Sequence, residues 1–553
     1  MDFIQPNCPT NDERYRMVKM ALEVNNRLED FDNIIQLLSP PSDILSIVPY
    51  GSCKNIKVAI LGAGLAGLSA AFELRKAGFN VTIFEAEDKR IGGRVYTHYF
   101  DRSKQLYGEL GPMRMSASHE TTWHYINLFN LKTRPFIQDN PNAFRYVQGV
   151  RVKNTPQEIQ ENIYPKFDMT LEERLKLWPQ LFNQAFEAYL LSMTPEVRKE
   201  ILQIKSEYSP EIIKADYLSI LQRMELAGLS NGAIEMLSGI EPFVADFLSN
   251  SFFEILHELY PVSFAYTYEI IGGFLRLPKA FLTSLFSREP KEYMGKIPAS
   301  KLGTIQILSG HQVIGLSQPK KNGSVIVHHK NIKRNTIYDN QYDFIICAVP
   351  FSNLRLFKLN PVFNSSKMQA IRVLNYSASQ KTVFLCNYRF WEASKPKNNK
   401  IVGGGSFTDL VINSIWYPST PAQSPSCPGV ITASYNWTQD AVRLGNFNSS
   451  REIELIKRQI EEVHGLPMNS LDSIVTDYKT IVWNNNPWSL GAFAFYDPQQ
   501  KVLFSKVAIE PEYNRRVFFA GEHVSVTRAW MQGSLKTGMM AANDIARECQ
   551  NYI

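Results

Sequence analysis

A glycine-rich turn between an apolar run and a helical pattern constrains this chain more than any other feature. The segment VAILGAGLAGLSAAFELRKAGFNVTIFEAE predicts a βαβ unit of about thirty residues: a strand at Lys57–Leu61, a helix from Leu65 to Lys76 and a second strand at Asn80–Glu85. Gly62, Gly64 and Gly67 have the G-x-G-x-x-G spacing. In that spacing the first glycine permits a tight turn, the second lets a pyrophosphate approach the backbone, and the third lets helix and strand pack closely.

An acidic residue completes this signature. Glu85 ends the second predicted strand, 18 residues after Gly67, and its carboxylate can accept hydrogen bonds from both ribose hydroxyls of an adenosine. The N-terminus of the helix supplies free N–H groups and a partial positive charge for phosphates. We therefore predict binding of an adenine dinucleotide, and the acid argues against the 2′-phosphate of NADP.

Composition excludes several classes of protein. A hydrophobic share of 44% and a charged share of 20% over 553 residues are ordinary for a globular protein, and they rule out a disordered chain or a fibrous repeat. The formal net charge of +6 is too small for this length to indicate nucleic-acid binding. The length favours two to four domains.

Neither a metal site nor a membrane segment is predicted. The six cysteines are scattered, with no C-x-x-C pair and no Cys/His cluster at metal-ligand spacing. The longest uncharged run, 410–439, contains four prolines and so favours strand and loop over a membrane helix. The N-terminus lacks the basic start and apolar middle of a signal peptide, so we expect a cytoplasmic protein. A homodimer is the default expectation.

Secondary-structure signals change along the chain. Apolar residues recur at helical spacing near the N-terminus and again through about 157–286, whereas short β-rich runs fill 301–350 and 378–496. A strand at 516–520 then leads into a helix beginning at about Met531.

Two further glycine elements stand near the ends of the chain. Ile91-Gly92-Gly93-Arg94 follows the βαβ unit, and Gly521-Glu522 follows the late strand in FFAGEHVSVTRAWMQGSLKTGMMAA. In this order the motifs resemble the flavin-containing amine oxidase superfamily, and within it the L-amino acid oxidases, over about residues 55–548. The resemblance implies an α/β (α+β) fold with three parts: an interrupted Rossmann-type FAD-binding domain, a sheet-based substrate-binding domain and a helical insertion.

The resemblance also implies domain boundaries. We assign 1–54 to an N-terminal helical lead segment, 55–95, 295–375 and 505–553 to the FAD-binding domain, 96–156, 271–294 and 376–504 to the substrate-binding domain, and 157–270 to the helical domain.

Cofactor contacts follow from the same resemblance. It implies that Arg94 and Glu522 contact the phosphates and ribityl chain of FAD, and that the backbone of Val313 holds the adenine. Ala492 stands where some relatives carry a linking cysteine, so FAD should be non-covalent. The implied cofactor set is completed by Gly62, Gly64, Ala66, Gly67, Glu85, Ala86, Gly93, Gly111, Pro112, Met113, Arg114, Trp483, Gly521, Trp530 and Met531.

The run Gly111-Pro112-Met113-Arg114 indicates the substrate class. A guanidinium is a planar, permanently charged fork that matches a carboxylate with two hydrogen bonds, and in the L-amino acid oxidases this arginine looks like the substrate's carboxylate clamp. The resemblance makes Tyr417 the second clamp residue and its neighbour Trp416 a core residue. Lys381 matches the family lysine that holds a water near the flavin N5.

The remaining substrate contacts are aromatic or backbone groups. Phe493 and Trp530 match the two positions that flank the substrate amine, where aromatic walls exclude water. Ala529 replaces a glycine that is common in relatives, and its carbonyl is expected to receive the amine in a narrower site.

These features predict an FAD-dependent L-amino acid oxidase that converts an L-amino acid and dioxygen to a 2-oxo acid, ammonia and hydrogen peroxide, a reaction of amino acid catabolism. An amino-acid 2-monooxygenase is the nearest alternative and a flavin amine oxidase the next. A protein with a purely structural FAD is the alternative from another class, and Arg114 and Lys381 argue against it.

Overall fold

In the computed structural model, which describes residues 3–293, 297–321, 323–393 and 400–550, the βαβ unit lies at the centre of a parallel sheet. Its strands pair in register from Lys57 with Asn80 to Leu61 with Phe84, and the helix between them begins at Leu65, as predicted. Because all strands of this sheet are parallel, their carboxyl ends meet at one edge. The order of the five strands is Ile305–Ser309, Asn80–Glu85, Lys57–Leu61, Phe344–Cys347 and Val517–Phe519.

A long C-terminal helix, Met531–Cys549, packs against the helix Leu65–Ala77. The two backbones approach closely, because a Cβ on Gly538 would lie 2.2 Å from the carbonyl oxygen of Ala66. Ser69 also donates a hydrogen bond of 3.1 Å to the carbonyl of Leu535. The C-terminal helix therefore packs directly against the helix that follows the glycine turn.

A mainly antiparallel sheet of seven strands forms the second layer of the site. Its second strand, Ser379–Cys386, carries Lys381 and pairs on both sides, and Gly429–Trp437 is one of its neighbours. The order is Val475–Val482, Ser379–Cys386, Gly429–Trp437, Ser414–Trp416, Gly405–Thr408, Phe144–Val147 and Val150–Lys153.

Four smaller sheets complete the strand content. They comprise Thr336–Tyr342, Val325–Asn331, His311–Ser317 and Lys358–Asn360; Met115–Ser116, Thr267–Ile270 and Thr133–Phe136; Thr97–Tyr99 with Tyr107–Glu109; and Tyr376–Ser377 with Phe493–Ala494.

Helices occupy the two regions where helical spacing predicted them, but three more, Thr438–Gly445, Ser449–His464 and Leu471–Ile474, lie within 378–496, where the sequence predicted strands. The N-terminal pair is Asn11–Val24 and Phe31–Leu38, and the region after residue 155 contains Pro156–Asn162, Leu171–Arg174, Trp178–Ala185, Glu187–Leu191, Pro195–Arg198, Pro210–Tyr217, Ile220–Leu226, Asn231–Ile240, Pro242–Phe247, Phe253–Leu259 and Arg276–Phe286. The other helices are Glu120–Leu128, Phe351–Leu354, Ser365–Val373, Thr438–Gly445, Ser449–His464, Leu471–Ile474 and Gln500–Ile509.

The predicted α/β class is confirmed by these sheets and helices. The five parallel strands all fall in the three segments assigned to the FAD-binding domain, although the domain boundaries stay a prediction. Within the described ranges, no helix combines the length and apolarity that crossing a membrane requires.

Candidate active site

One cavity extends from the carboxyl edge of the parallel sheet to the seven-stranded sheet. Most of the residues predicted for the site contribute to its wall, although they come from both ends and the middle of the chain. They are Gly62, Gly64, Ala66, Glu85, Ala86, Gly93, Arg94, Gly111, Pro112, Val313, Lys381, Trp483, Phe493, Gly521, Glu522, Ala529, Trp530 and Met531.

The glycine turn at one end of the cavity leaves room for a ligand backbone. Gly62 has a φ of +104°, which a side chain would strain. A Cβ on Gly93 would lie 3.2 Å from the Cα of Gly64, so these two glycines form a bare cradle. Gly67 does not line the cavity. A Cβ there would lie 2.1 Å from the carbonyl oxygen of Gly62, so Gly67 supports the turn rather than touching a ligand.

The Glu85 carboxylate lies beside this cradle and is held by backbone donors. It accepts hydrogen bonds from the N–H of Ala63 at 2.9 Å and from the N–H of Glu87 at 2.8 Å. Each oxygen retains a further lone pair that can accept a hydroxyl hydrogen. Burial raises the pKa of Glu85, and the two N–H donors oppose that shift.

Arg94, which is partly exposed, and Glu522, which is buried, both line the cavity and form an ion pair. Nη1 of Arg94 lies 2.8 Å from Oε1 of Glu522 and donates to the carbonyl of Ala492 at 2.9 Å. Glu522 also accepts from the backbone N–H of Ala494 and of Ala529, the latter at 3.0 Å. This carboxylate therefore fixes two loops that line the cavity.

Lys381 is buried at the floor of the cavity. Its ammonium donates to the carbonyl of Gly111 at 2.7 Å and lies 4.0 Å from the ring centre of Tyr435. Burial, and next the charge of Arg114, lower the pKa of Lys381 to about 7, while Glu109 opposes the shift. Burial also raises the pKa of Glu109 to about 8. A lysine poised near neutrality in a cavity is typical of a functional group.

Arg114 is enclosed by aromatic rings. Its guanidinium carbon lies 4.9 Å from the ring centres of Phe264 and Trp416 and 5.7 Å from that of Phe136. Nη1 is buried and, among the described residues, has no hydrogen-bond partner. Burial lowers the pKa of Arg114, but a guanidinium keeps its charge. A buried cation with an unused donor is suited to an anionic ligand.

Arg114 adjoins the cavity, and its side chain is not fully buried. It is not among the lining residues, but Phe264 contacts both its guanidinium and the ring of Trp530, at 5.4 Å between ring centres. Tyr435 lines the cavity. Burial raises the pKa of Tyr435, and the nearby charge of Arg114 opposes that shift.

The structure places two of the predicted contact residues away from the cavity. The Tyr417 hydroxyl lies 2.7 Å from Nε2 of His464 and 2.8 Å from Oγ of Ser406, on the side of the sheet away from the cavity, whereas Trp416 faces Arg114. Successive residues along a strand point to opposite faces, so only one of these neighbours can meet the arginine. Met113 packs with Phe136 and Trp416 and does not line the cavity.

Several residues at the site were not predicted. Tyr435 faces the cavity from the strand Gly429–Trp437, where apolar and polar residues alternate along the sequence, a pattern that predicts a strand but not a site. Phe264 and Glu258 belong to the helical region, and Glu258 accepts a hydrogen bond from the indole of Trp530. Among the described residues, no group of three or more His, Cys, Asp or Glu side chains could hold a metal ion.

A nucleotide cradle on a parallel sheet, continued by a cationic and aromatic wall from a second sheet, is the arrangement expected of a flavin-dependent oxidoreductase. The chain belongs to the flavin containing amine oxidoreductase family, which matches residues 65–546. The resemblance drawn from the motifs is thereby confirmed, and the family implies a flavin cofactor.

Known relatives support the same family. The chain is 28% identical over 523 residues to an L-amino-acid oxidase of Siganus canaliculatus, which covers 94% of this chain and 90% of that protein. It is 28% identical over 503 residues to an L-amino-acid oxidase of Crotalus adamanteus, covering 90% and 88%. The structure of a putrescine oxidase bound to putrescine matches with a TM-score of 0.63 and 16% identity, covering 89% of this chain and 98% of that one, which shows a shared fold.

Proposed function

We propose that this protein is an FAD-dependent L-amino acid oxidase. The observation that carries the proposal is Arg114, whose guanidinium has aromatic faces and a buried Nη1 with no partner among the described residues. A ligand carboxylate would supply the two acceptors that this fork lacks. An amine without a carboxylate would leave the cation unpaired, at a cost.

The residues present fit FAD. The bare surface formed by Gly64 and Gly93 would admit a pyrophosphate, and Glu85 has lone pairs for the ribose. Val313 also lines the cavity, where its backbone would hold the adenine. Ala492 has no atom that could form a thioether, so we expect the cofactor to be held without a covalent bond. When bound, the flavin supplies an acceptor for two electrons from the substrate.

The chain's own groups bind and orient the substrate. Arg114 would hold the carboxylate, and Phe493 and Trp530 would exclude water from both sides of the α-amine. The carbonyl of Ala529, a residue that lines the cavity, would accept one amine hydrogen. Lys381 keeps N–H donors beyond the bond to Gly111, and these can hold a water.

The net reaction consumes one L-amino acid, one dioxygen and one water, and it yields one 2-oxo acid, one ammonia and one hydrogen peroxide. A 2-monooxygenase would instead release carbon dioxide and an amide that carries one oxygen atom from dioxygen. An amine oxidase would accept the decarboxylated analogue of the substrate.

A substrate screen tests the proposal. Purified yellow protein is incubated with each of the twenty L-amino acids and with the corresponding primary amines, and peroxide, ammonia and the organic product are measured, the last by mass. We expect peroxide and ammonia in near-equal amounts with a 2-oxo acid, and little turnover of amines. Amide as the main product would assign the monooxygenase reaction, and preference for amines would reject the carboxylate clamp.

A further inference from the structure

Trp530 is held through its side chain and through the backbone of the residue before it. The neighbouring Ala529, with a φ of +62°, donates its N–H to Glu522 at 3.0 Å. The indole Nε1 donates to both carboxylate oxygens of Glu258, at 2.9 and 3.0 Å. Two carboxylates from distant parts of the chain therefore fix this one aromatic residue.

The ring of Trp530 connects the cavity to the aromatic enclosure of Arg114. It lines the cavity, and it packs edge-on against His119 at 4.7 Å and tilted against Phe264 at 5.4 Å. Phe264 in turn faces the guanidinium of Arg114 at 4.9 Å. A rotation of the indole would move the wall and loosen the contact that keeps Arg114 in place.

Glu258 lies in the helix Phe253–Leu259 of the helical insertion and is 8% exposed. Its carboxylate approaches Nε2 of His257 at 3.4 Å and has no ion pair with lysine or arginine among the described residues. Nothing in the proposed reaction uses it. An indole has one polar hydrogen, and a buried donor that loses its acceptor is destabilised until the ring finds another.

We infer that Glu258 is a positioning residue that fixes the plane of the Trp530 ring, so that the helical insertion sets the geometry of the cavity wall. The measurement of kcat and KM rests on the proposed function, whereas the spectroscopic measurement requires only that flavin is bound. The inference predicts that kcat depends on the acceptor atom, whereas the charge of Glu258, which opposes the lowering of the Arg114 pKa, is not what holds the ring.

Substitutions at Glu258 separate these two properties in the flavin-loaded protein. E258Q keeps an acceptor oxygen and removes the charge, E258M keeps the length and removes the acceptor, and E258D keeps both but withdraws them from the indole. We expect kcat to fall at least about tenfold in E258M with KM within about threefold, an intermediate loss in E258D, and rescue to within about threefold of native in E258Q. In a W530F background, E258M should have no further effect, because no indole N–H remains to be held.

A measurement besides turnover is the visible circular dichroism of the bound flavin, which senses the asymmetry of the wall beside it. The spectrum should be native-like in E258Q and altered in E258M. E173M is the matched control, because Glu173 is a buried carboxylate of the same insertion that accepts from the N–H of Ser230 at 2.7 Å. It should lower Tm while leaving kcat and the flavin spectrum unchanged.

Equal damage in E258Q and E258M would assign the role to charge and overturn the inference. So would a native-like E258M, or an E258M effect that persists in the W530F background. If E258M does not fold, the loss of kcat in E258D and the flavin spectrum of E258Q still test whether the acceptor atom fixes the ring. If the native protein binds flavin and oxidises no L-amino acid, the proposed function fails, whereas the spectra still test the role of Glu258.

Discussion

The two ends of the cavity are built from different kinds of atoms. At the nucleotide end, backbone dominates: a glycine turn, two bare glycines and N–H donors that hold Glu85. At the aromatic end, side chains dominate, and the guanidinium of Arg114 is enclosed by rings from Phe136, Phe264 and Trp416.

Because of this difference, substitutions at the two ends should affect ligand binding in different ways. A ligand held by backbone groups depends on the absence of side chains, and one polar substitution removes a fraction of its contacts. A ligand held by one buried cation loses its main partner when that cation is removed. We therefore expect substitutions at the aromatic end to have the larger effects on turnover and those at the nucleotide end to act on cofactor affinity.

The largest effect is expected from R114A. A substrate carboxylate would then be buried without a partner, which should cost more than about 4 kcal/mol, or about 10³-fold in kcat/KM for L-amino acids. R114K keeps the charge and loses the fork, with an expected loss of about 2–4 kcal/mol. Flavin content should stay native in both variants, measured from the absorbance ratio of flavin to protein. If R114A left kcat/KM within about twofold of native, the carboxylate would bind elsewhere.

Lys381 provides the pH test of the aromatic end. Because its pKa is lowered to about 7, the rate of a flavin half-reaction should change around that pH, and K381M should abolish the inflection and slow that step by about 10²-fold. Since the charge of Arg114 contributes to lowering this pKa, the inflection should move to higher pH in R114A. Rapid-mixing kinetics across pH 6–9 measure both shifts, and an unmoved inflection in K381M would assign it to another group such as Glu109.

The same lysine makes a prediction about stability. Below its ordinary pKa the unfolded chain binds a proton on Lys381, whereas above about pH 7 the folded chain does not. The unfolded state therefore binds more protons between about pH 7 and pH 10, so this group makes the free energy of unfolding rise with pH across that window. K381M should show a smaller rise in denaturant titrations at pH 7 and pH 9 than the native protein.

The contrast between the two ends also explains what the sequence could predict. The nucleotide end is contiguous in the chain, so spacing alone predicted the strand Lys57–Leu61 and the start of the next helix correctly. The aromatic end joins residues more than 100 positions apart, and no periodicity brings Phe136, Phe264 and Trp416 together. The error at Tyr417 has the same origin, because a shift of one residue in strand phase exchanges the two faces.

At the nucleotide end, E85A should weaken FAD binding and spare the chemistry. A buried ribose would lose its acceptor, at a cost of about 1–3 kcal/mol, or about 5- to 150-fold in Kd. The backbone N–H groups of Ala63 and Glu87 would also lose their acceptor. Equilibrium dialysis against FAD measures the loss, and kcat at saturating FAD should stay near native.

Acid or heat should release the flavin from native protein into solution, and flavin that stays in the precipitate would contradict non-covalent binding.

The smallest effects are expected from substitutions of two tyrosines in the seven-stranded sheet region, Tyr435 and Tyr417. Tyr435 lines the cavity close to Arg114 and Lys381, so Y435F should raise KM or lower kcat by about 1–2 kcal/mol, the value of one hydrogen-bonding hydroxyl. Tyr417 points away, toward Ser406 and His464, so Y417F should change kcat/KM by less than about 0.5 kcal/mol while lowering stability by about 1 kcal/mol. Each substitution removes one oxygen atom, so the pair controls for lost volume. A larger kinetic effect from Y417F than from Y435F would mean that the strand presents its other face to the substrate, and would restore Tyr417 as the partner of Arg114.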